Sequence, residues 1–363
     1  MHPSFRPFAA LVAASLACSA PLDAQLAKTA VLGAPTYTTL TFGAGATSRS
    51  VSQLAMPLVV ILPFSEKFSV DVSTAFATST VEGGSAASSE ISGLTDTQIR
   101  GNLRVGSDNV LFTFGVNLPT GQYAVPQAQQ EAAGQIGNDF LFYPISSMGN
   151  GLAMTGGFAY VRPVGQWNIG AGASGRKSTE FAAFELGSGE FRFTPADEYR
   201  LSLNADRPVG DGEMSLGVTY SAFGEDIADT TTYSTGDRII ATAGWTAPVG
   251  GGNLFLSAWN LYRLEGEVLG TAAPAENVFN ASAAYSVSVR ALLVQPNVEA
   301  RLWQVGGVKA GNLTTVGLRL RIPVGMLGLF PSAGYSMGTL YNTADGSATK
   351  VNGLQAGVTL RYN

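Results

Sequence analysis

Asp96-Thr97-Gln98-Ile99-Arg100-Gly101-Asn102-Leu103-Arg104-Val105 alternates polar and apolar side chains without a break. Asp96, Gln98, Arg100, Asn102 and Arg104 share one face. Thr97, Ile99, Gly101, Leu103 and Val105 share the other. A period of two is that of a β-strand with one wet and one apolar surface. The same plan recurs outward along the chain. Gln295, Asn297, Glu299 and Arg301 oppose Val294, Val298, Ala300 and Leu302. Gly317, Arg319 and Arg321 oppose Val316, Leu318, Leu320 and Ile322, and Gln355, Gly357, Thr359 and Arg361 oppose Leu354, Ala356, Val358, Leu360 and Tyr362. A soluble β-sandwich alternates too, but its wet face is rich in Lys and Glu. Here charged residues make up 13% of 363 and arginine sits in mid-strand. A wet interior with a lipid-facing exterior fits this chemistry better than a secreted sandwich or β-solenoid.

Composition closes off other classes. The net charge is −5, with 21 basic and 26 acidic residues, so a polyanion partner and nucleic acid are not expected. The one His and one Cys are His2 and Cys18. Residues 1–24 read as a secretory signal peptide: Arg6, then the apolar run Phe8–Ala20, then small residues with Ala24-Gln25 the favoured cut. Cys18 keeps a lipoprotein reading open, although Ser15 stands where a lipobox prefers Leu. Once the leader is gone, no His or Cys is left for a Ser-His-Asp triad, a thiol nucleophile, a disulfide or a His/Cys metal site. No enzyme activity, metal or cofactor is expected. No later stretch is long and apolar enough for a transmembrane helix. A short periplasmic segment, 25–35, is expected before a barrel over 36–363.

About sixteen strands follow: 36–46, 50–63, 67–80, 94–106, 108–118, 148–163, 165–176, 195–208, 211–223, 236–249, 251–264, 276–290, 292–305, 310–323, 325–339 and 349–362. Fourteen is the alternative, since the breaks at 46–49 and 306–309 are weak. Pro-Val-Gly at 163–165, 208–210, 248–250 and 323–325 marks short turns on one side. Longer connections run near 80–95, 119–150, 175–196, 223–237, 264–277 and 340–350. Short turns on one side and long loops on the other give a transmembrane antiparallel up-and-down β-barrel with periplasmic turns. Phe64, Phe68, Trp167 and Trp245 are expected in one aromatic girdle, and Tyr220, Phe223, Tyr262, Phe279 and Trp303 in the other. The long loops are acidic, as solvation or divalent-cation bridging to lipopolysaccharide would require. Gln127–Gly137 reads either as a short helix entering the mouth or as a disordered loop.

Gly93-Leu94-Thr95-Asp96, followed one strand later by Leu118-Pro119-Thr120-Gly121, resembles an outer-membrane family named for the MetA pathway of phenol degradation. The closing strand, with Tyr362 penultimate, is similar to the terminal strand that barrel assembly machinery reads. The resemblance covers about 30 residues closely. It implies a barrel associated with small solutes, often aromatic or hydrophobic.

The candidate lumen-lining and selectivity residues are Asp96, Arg100, Arg104, Arg200, Arg290, Glu299, Arg301, Arg319, Arg321 and Arg361. Asp71, Glu198 and Asp206 are further inward acids. The last five strands hold Arg290, Arg301, Arg319, Arg321 and Arg361 against Glu299 alone, which would set up a field across a pore. The alternative is that these groups pair and fill the lumen. Expected partners are outer-membrane lipid, lipopolysaccharide, a small-molecule solute and the assembly machinery. The function expected is a channel or passive transporter in the bacterial outer membrane. The alternative is a structural or adhesive barrel with working loops and a filled lumen.

Overall fold

The computed structural model describes residues 30–45, 48–84, 88–106, 109–186, 189–268, 270–324 and 327–362. The expected signal peptide lies outside them. Sixteen staves form one closed antiparallel barrel. They are β1 (Ala30–Gly33 and Thr36–Phe42), β2 (Arg49–Pro63), β3 (Phe68–Gly83), β4 (Ser89–Leu94 and Thr97–Val105) and β5 (Val110–Leu118). Next come β6 (Ala153–Val164), β7 (Trp167–Ser178), β8 (Glu198–Val209), β9 (Gly212–Phe223), β10 (Arg238–Val249) and β11 (Gly252–Arg263). The last are β12 (Glu276–Val289), β13 (Leu292–Val305), β14 (Val308–Val324), β15 (Leu327–Tyr341) and β16 (Ala348–Tyr362). The circle shuts where β1 pairs with β16, Val31 opposite Tyr362 and Thr38 opposite Gln355.

Closure is what the bilayer demands, because an unpaired strand edge in lipid leaves donors and acceptors unsatisfied. Register then fixes the faces. Leu94, Met154, Phe158, Tyr199, Leu201, Leu203, Val316 and Leu354 all point outward and are more than half exposed. Gln53, Ser79, Asn280 and Arg301, of opposite parity on their own staves, are buried on the inner side. A spanning β-strand needs about 9–11 residues. Most staves, at 12 to 17 residues, therefore carry the wall past the hydrocarbon region, while β5 has nine.

Several boundaries move from their expected places. The first stave starts at Ala30, inside the expected periplasmic segment, and is broken only at Ala34-Pro35. The stretch 80–95 is mostly wall: β3 runs to Gly83 and β4 resumes at Ser89. Loops 179–197, 224–237 and 264–275 are not irregular. They contribute strands 181–186, 189–194, 226–228, 231–234, 266–268 and 271–273, joined edge to edge in a second, six-stranded sheet above β7–β12. Two of the expected girdle aromatics, Phe223 and Trp303, face inward. Tyr220, Tyr262 and Phe279 remain outside, 39–41% exposed.

The Pro-Val-Gly turns are two-residue hairpins. Val164 pairs with Trp167, Val209 with Gly212 and Val249 with Gly252. Gly165, Gly210 and Gly250 take φ of 63°, 60° and 57°. Such positive values suit the primed turns that match strand twist. At the fourth equivalent turn Arg290 occupies this position with φ 56°. A side chain there costs roughly 1–2 kcal/mol. Arg290→Gly is expected to stabilise the folded barrel by about 1 kcal/mol, and Gly250→Val to destabilise it by a similar amount. Urea unfolding in micelles followed by tryptophan fluorescence checks both.

Candidate functional site

The connection from β5 to β6, residues 119–152, folds into the barrel. Its launch point is built by the two motifs singled out in the sequence. Asp96, 8% exposed, accepts hydrogen bonds from the backbone N–H of Gly121 (3.0 Å) and Asn150 (2.6 Å) and from Asn117 Nδ2 (2.8 Å). One carboxylate thus ties together both ends of the loop. Thr120 Oγ1 accepts from the Thr97 N–H at 2.8 Å. Gly121 can only be glycine, since a Cβ would lie 2.0 Å from the Met148 carbonyl oxygen.

Inside the lumen, Gln127–Gln129 form a 3-10 turn that continues into helix α1 (Gln130–Ile136). The expected short helix is therefore present. Ala132, Ala133 and Ile136 are buried against the wall. Arg49 on β2 binds Glu131 at 2.5 Å. Ser89 Oγ donates to the Ala128 carbonyl at 2.7 Å. Gln53, fully buried, donates to the Ile145 carbonyl (2.7 Å) and accepts its N–H (2.8 Å), as a neighbouring strand would. Tyr143 donates to the Val51 carbonyl at 3.0 Å, and burial pushes its phenol pKa up, so the donor keeps its proton.

The far end of the loop reaches β11–β14. Phe140 stacks on Trp303 with ring centroids 5.2 Å apart, and its carbonyl accepts from Arg301 Nη1 at 2.5 Å. Phe142, with φ 58°, lays its ring against the Arg301 guanidinium at 5.0 Å and against Trp259 at 6.0 Å. Leu40, Leu313 and Val351 complete the apolar seat from β1, β14 and β16. The loop therefore crosses the lumen from β2–β4 to β11–β14.

On the other side of the loop a cavity of about 760 Å³ remains. Its barrel wall carries arginines at matched heights. Arg100, Gly115, Thr155, Arg176 and Glu198 are successive register partners on β4 to β8. Arg200, Ser221, Arg238, Arg263 and Glu276 form the next such row, on β8 to β12. Glu198 holds Arg200 at 2.7 Å, and Glu276 pairs with Arg263. Asp139 of the loop lies near Arg238 and Arg263. The opposite wall is the six-stranded sheet, with Phe184, Phe191, Phe193 and Tyr233 toward the cavity. A second cavity of about 580 Å³ opens at the turn end of the same sector, lined by Asn168, Asp206, Glu213, Thr246, Asn253 and Phe255.

The sequence-derived candidates fall as follows. Asp96 clamps the loop. Arg100 and Arg200 line the larger cavity. Arg301 and Glu299 pair with each other, and Asn280 Nδ2 donates to Glu299 at 2.8 Å. Arg319 and Arg321 lie on the inner face of β14 against the Phe330 ring, at 5.1 and 5.9 Å. Arg361 shares the inner face of β16. Arg104 reaches the Glu66 carbonyl at the turn end. Arg290 is a correction: it stands in the turn, because the chain reverses one residue after Val289. The expected one-sided field is also corrected. Arg176, Arg238 and Arg263 place cations on the other sector too. Strand parity alone reveals Arg238, which shares a face with Ile240, Thr242 and Gly244.

No protein-family model matches the chain, and no curated protein does. Solved structures of similar shape include an anion-selective porin from Comamonas acidovorans: 13% identity, 92% of this chain and 99% of that one, TM-score 0.42. Another is OprB of Pseudomonas putida: 14% identity, 93% and 95% coverage, TM-score 0.46. A third is an outer membrane channel from Pseudomonas putida F1: 11% identity, 92% and 94% coverage, TM-score 0.40. The membrane assignment rests on the barrel itself. A closed antiparallel wall, apolar outside and arginine-bearing inside, is the architecture of the bacterial outer membrane.

Removing the Asp96 carboxylate deprives three donors of a charged acceptor, a loss on the order of 4 kcal/mol. Asp96→Ala is expected to speed hydrogen exchange throughout 121–150 while leaving β8–β16 protected. Mass-spectrometric exchange in micelles measures both.

Proposed function

We propose that this chain is an outer-membrane channel through which small solutes diffuse, with residues 119–152 as its constriction. The inward loop is the observation that carries the reading. It seats against β1–β4 and β10–β16 and leaves the β4–β11 sector to two cavities, one at each end. Five arginines line that sector, and Arg200 and Arg263 hold paired carboxylates. They offer transient partners to a polar solute that has shed part of its hydration. Arg100 and Arg200 act at the larger cavity, while Arg319, Arg321 and Arg361 offer further contacts on the inner wall nearer the turns. No covalent step is assigned to any residue. The lipid contact is the outer belt, and the terminal strand β16 is the segment offered to the assembly machinery.

A filled, structural barrel is the second reading, and the buried cluster around Phe140, Tyr143 and Ile136 favours it. Conductance separates the two. In planar bilayers the mature protein is expected to give discrete steps, and deletion of residues 124–147 to raise the step size several-fold. A silent intact protein whose loop-deleted form conducts would establish the stopper instead. Silence from both would overturn the channel.

A further inference from the structure

We propose that the larger cavity is a binding site for an amphipathic monoanion, a carboxylate or sulfonate head on an apolar body of about aryl size. The proposal names the solute class for the channel and rests on that reading for the solute's onward route. The site itself stands on four observations.

The two walls have opposite chemistry. Arginines occupy the barrel side. The sheet side is aromatic: Phe184 packs on Phe191 with centroids 5.9 Å apart, and Phe193 stacks on Tyr233 at 6.0 Å. Such a face is poorly hydrated and gains by covering apolar surface.

The charge balance leaves room for one head group. Arg200 is held by Glu198, Arg263 by Glu276, and Arg238 lies near Asp139. Arg100 and Arg176 carry no hydrogen bond or ion pair among the described residues, although both line the cavity. The register partner of Arg100 is Asp71, whose carboxylate accepts from Asn102 instead. Glu198, beside Arg176, is engaged with Arg200, and Asp96 is filled by the loop. Arg100 is exposed to the cavity and Arg176 is half-buried beside Glu198, so both guanidinium groups present N–H donors that an anionic head can take up in charge-assisted hydrogen bonds. A polyphosphate would meet Glu198 on the barrel wall and Asp226 on the sheet.

The space between the two arginines is open. Gly115 and Thr155 stand between them on β5 and β6, so Arg100 and Arg176 are three strand spacings apart, about 14 Å. At about 760 Å³ the cavity is also of the size that small-molecule sites have.

The test is calorimetric titration of the mature full-length protein in non-ionic micelles with 4-phenylbutyrate, its uncharged amide, and acetate. Saturable binding of phenylbutyrate is expected, with the amide and acetate each weaker by about tenfold or more. Arg100→Gln and Arg176→Gln are each expected to weaken phenylbutyrate about tenfold, as loss of a charge-assisted contact does. Phe191→Ala is expected to weaken phenylbutyrate but not acetate. Arg207→Gln, on the outer face against Trp167, is expected to leave the affinity unchanged. Circular dichroism verifies that each variant folds. Equal affinity for the amide, equal affinity for acetate, or wild-type binding by both arginine variants would each overturn the site. Conductance without binding would overturn this inference and leave the channel standing. Binding without conductance would do the reverse.

Discussion

Backbone hydrogen bonding in a medium without water governs this molecule. Each peptide group in the hydrocarbon region needs a partner in the chain, and a strand can meet that need only from neighbours on both sides. The pairing of β1 with β16 is therefore a condition for every other stave. Once the wall is closed, the pleat decides the rest. Side chains alternate between lipid and lumen, and a slip of one residue would exchange the two. Arg100, Arg200 and Arg301 are tolerable in this membrane protein only because parity turns them inward.

The lumen is then filled unevenly. A single loop supplies an apolar cluster of the kind a soluble domain builds, and it leans on β1–β4 and β10–β16. The remaining sector keeps two cavities and its charged side chains. This division is set at the loop's neck, where Asp96 receives both ends. The six-stranded sheet is not independent of it. Val125 forms a parallel bridge with Phe184, its N–H donates to the Ala183 carbonyl at 3.1 Å, and its carbonyl accepts the Glu185 N–H at 3.0 Å. The aromatic wall of the cavity and the inward loop are thus parts of one hydrogen-bonded unit.

Much of the wall was legible in the sequence because a period of two is a local signal. All sixteen staves overlap their expected ranges, with starts displaced by up to six residues at β1, β4 and β6, and the turn glycines mark one rim. Extensions were harder. β1 begins before Pro35, which reads as a break, yet the ladder resumes on either side of it. The hairpins at 181–194, 226–234 and 266–273 are short, and each is stabilised by the next loop over, a pairing that no single segment announces. The same applies to the site. Arg100 and Arg200 were visible as mid-strand charges. Arg176 and Arg263 close their strands, where alternation fades into loop. Asp96 was read as a lumen charge, but its work is on backbone N–H groups 25 and 54 residues away. Arg290 looked like a strand residue because nothing in its neighbourhood spells a glycine turn.

The seat of the inward loop also joins the two ends of the chain. Val51 comes from near the start of the chain, Val351 from near its end, and Leu313 from the stave beside the last hairpin. The pocket that receives Ile136, Phe140 and Tyr143 does not exist until those distant segments have met. The loop's seat is complete only in the closed circle, so the loop adds an apolar tie between the first and last staves beyond their backbone ladder.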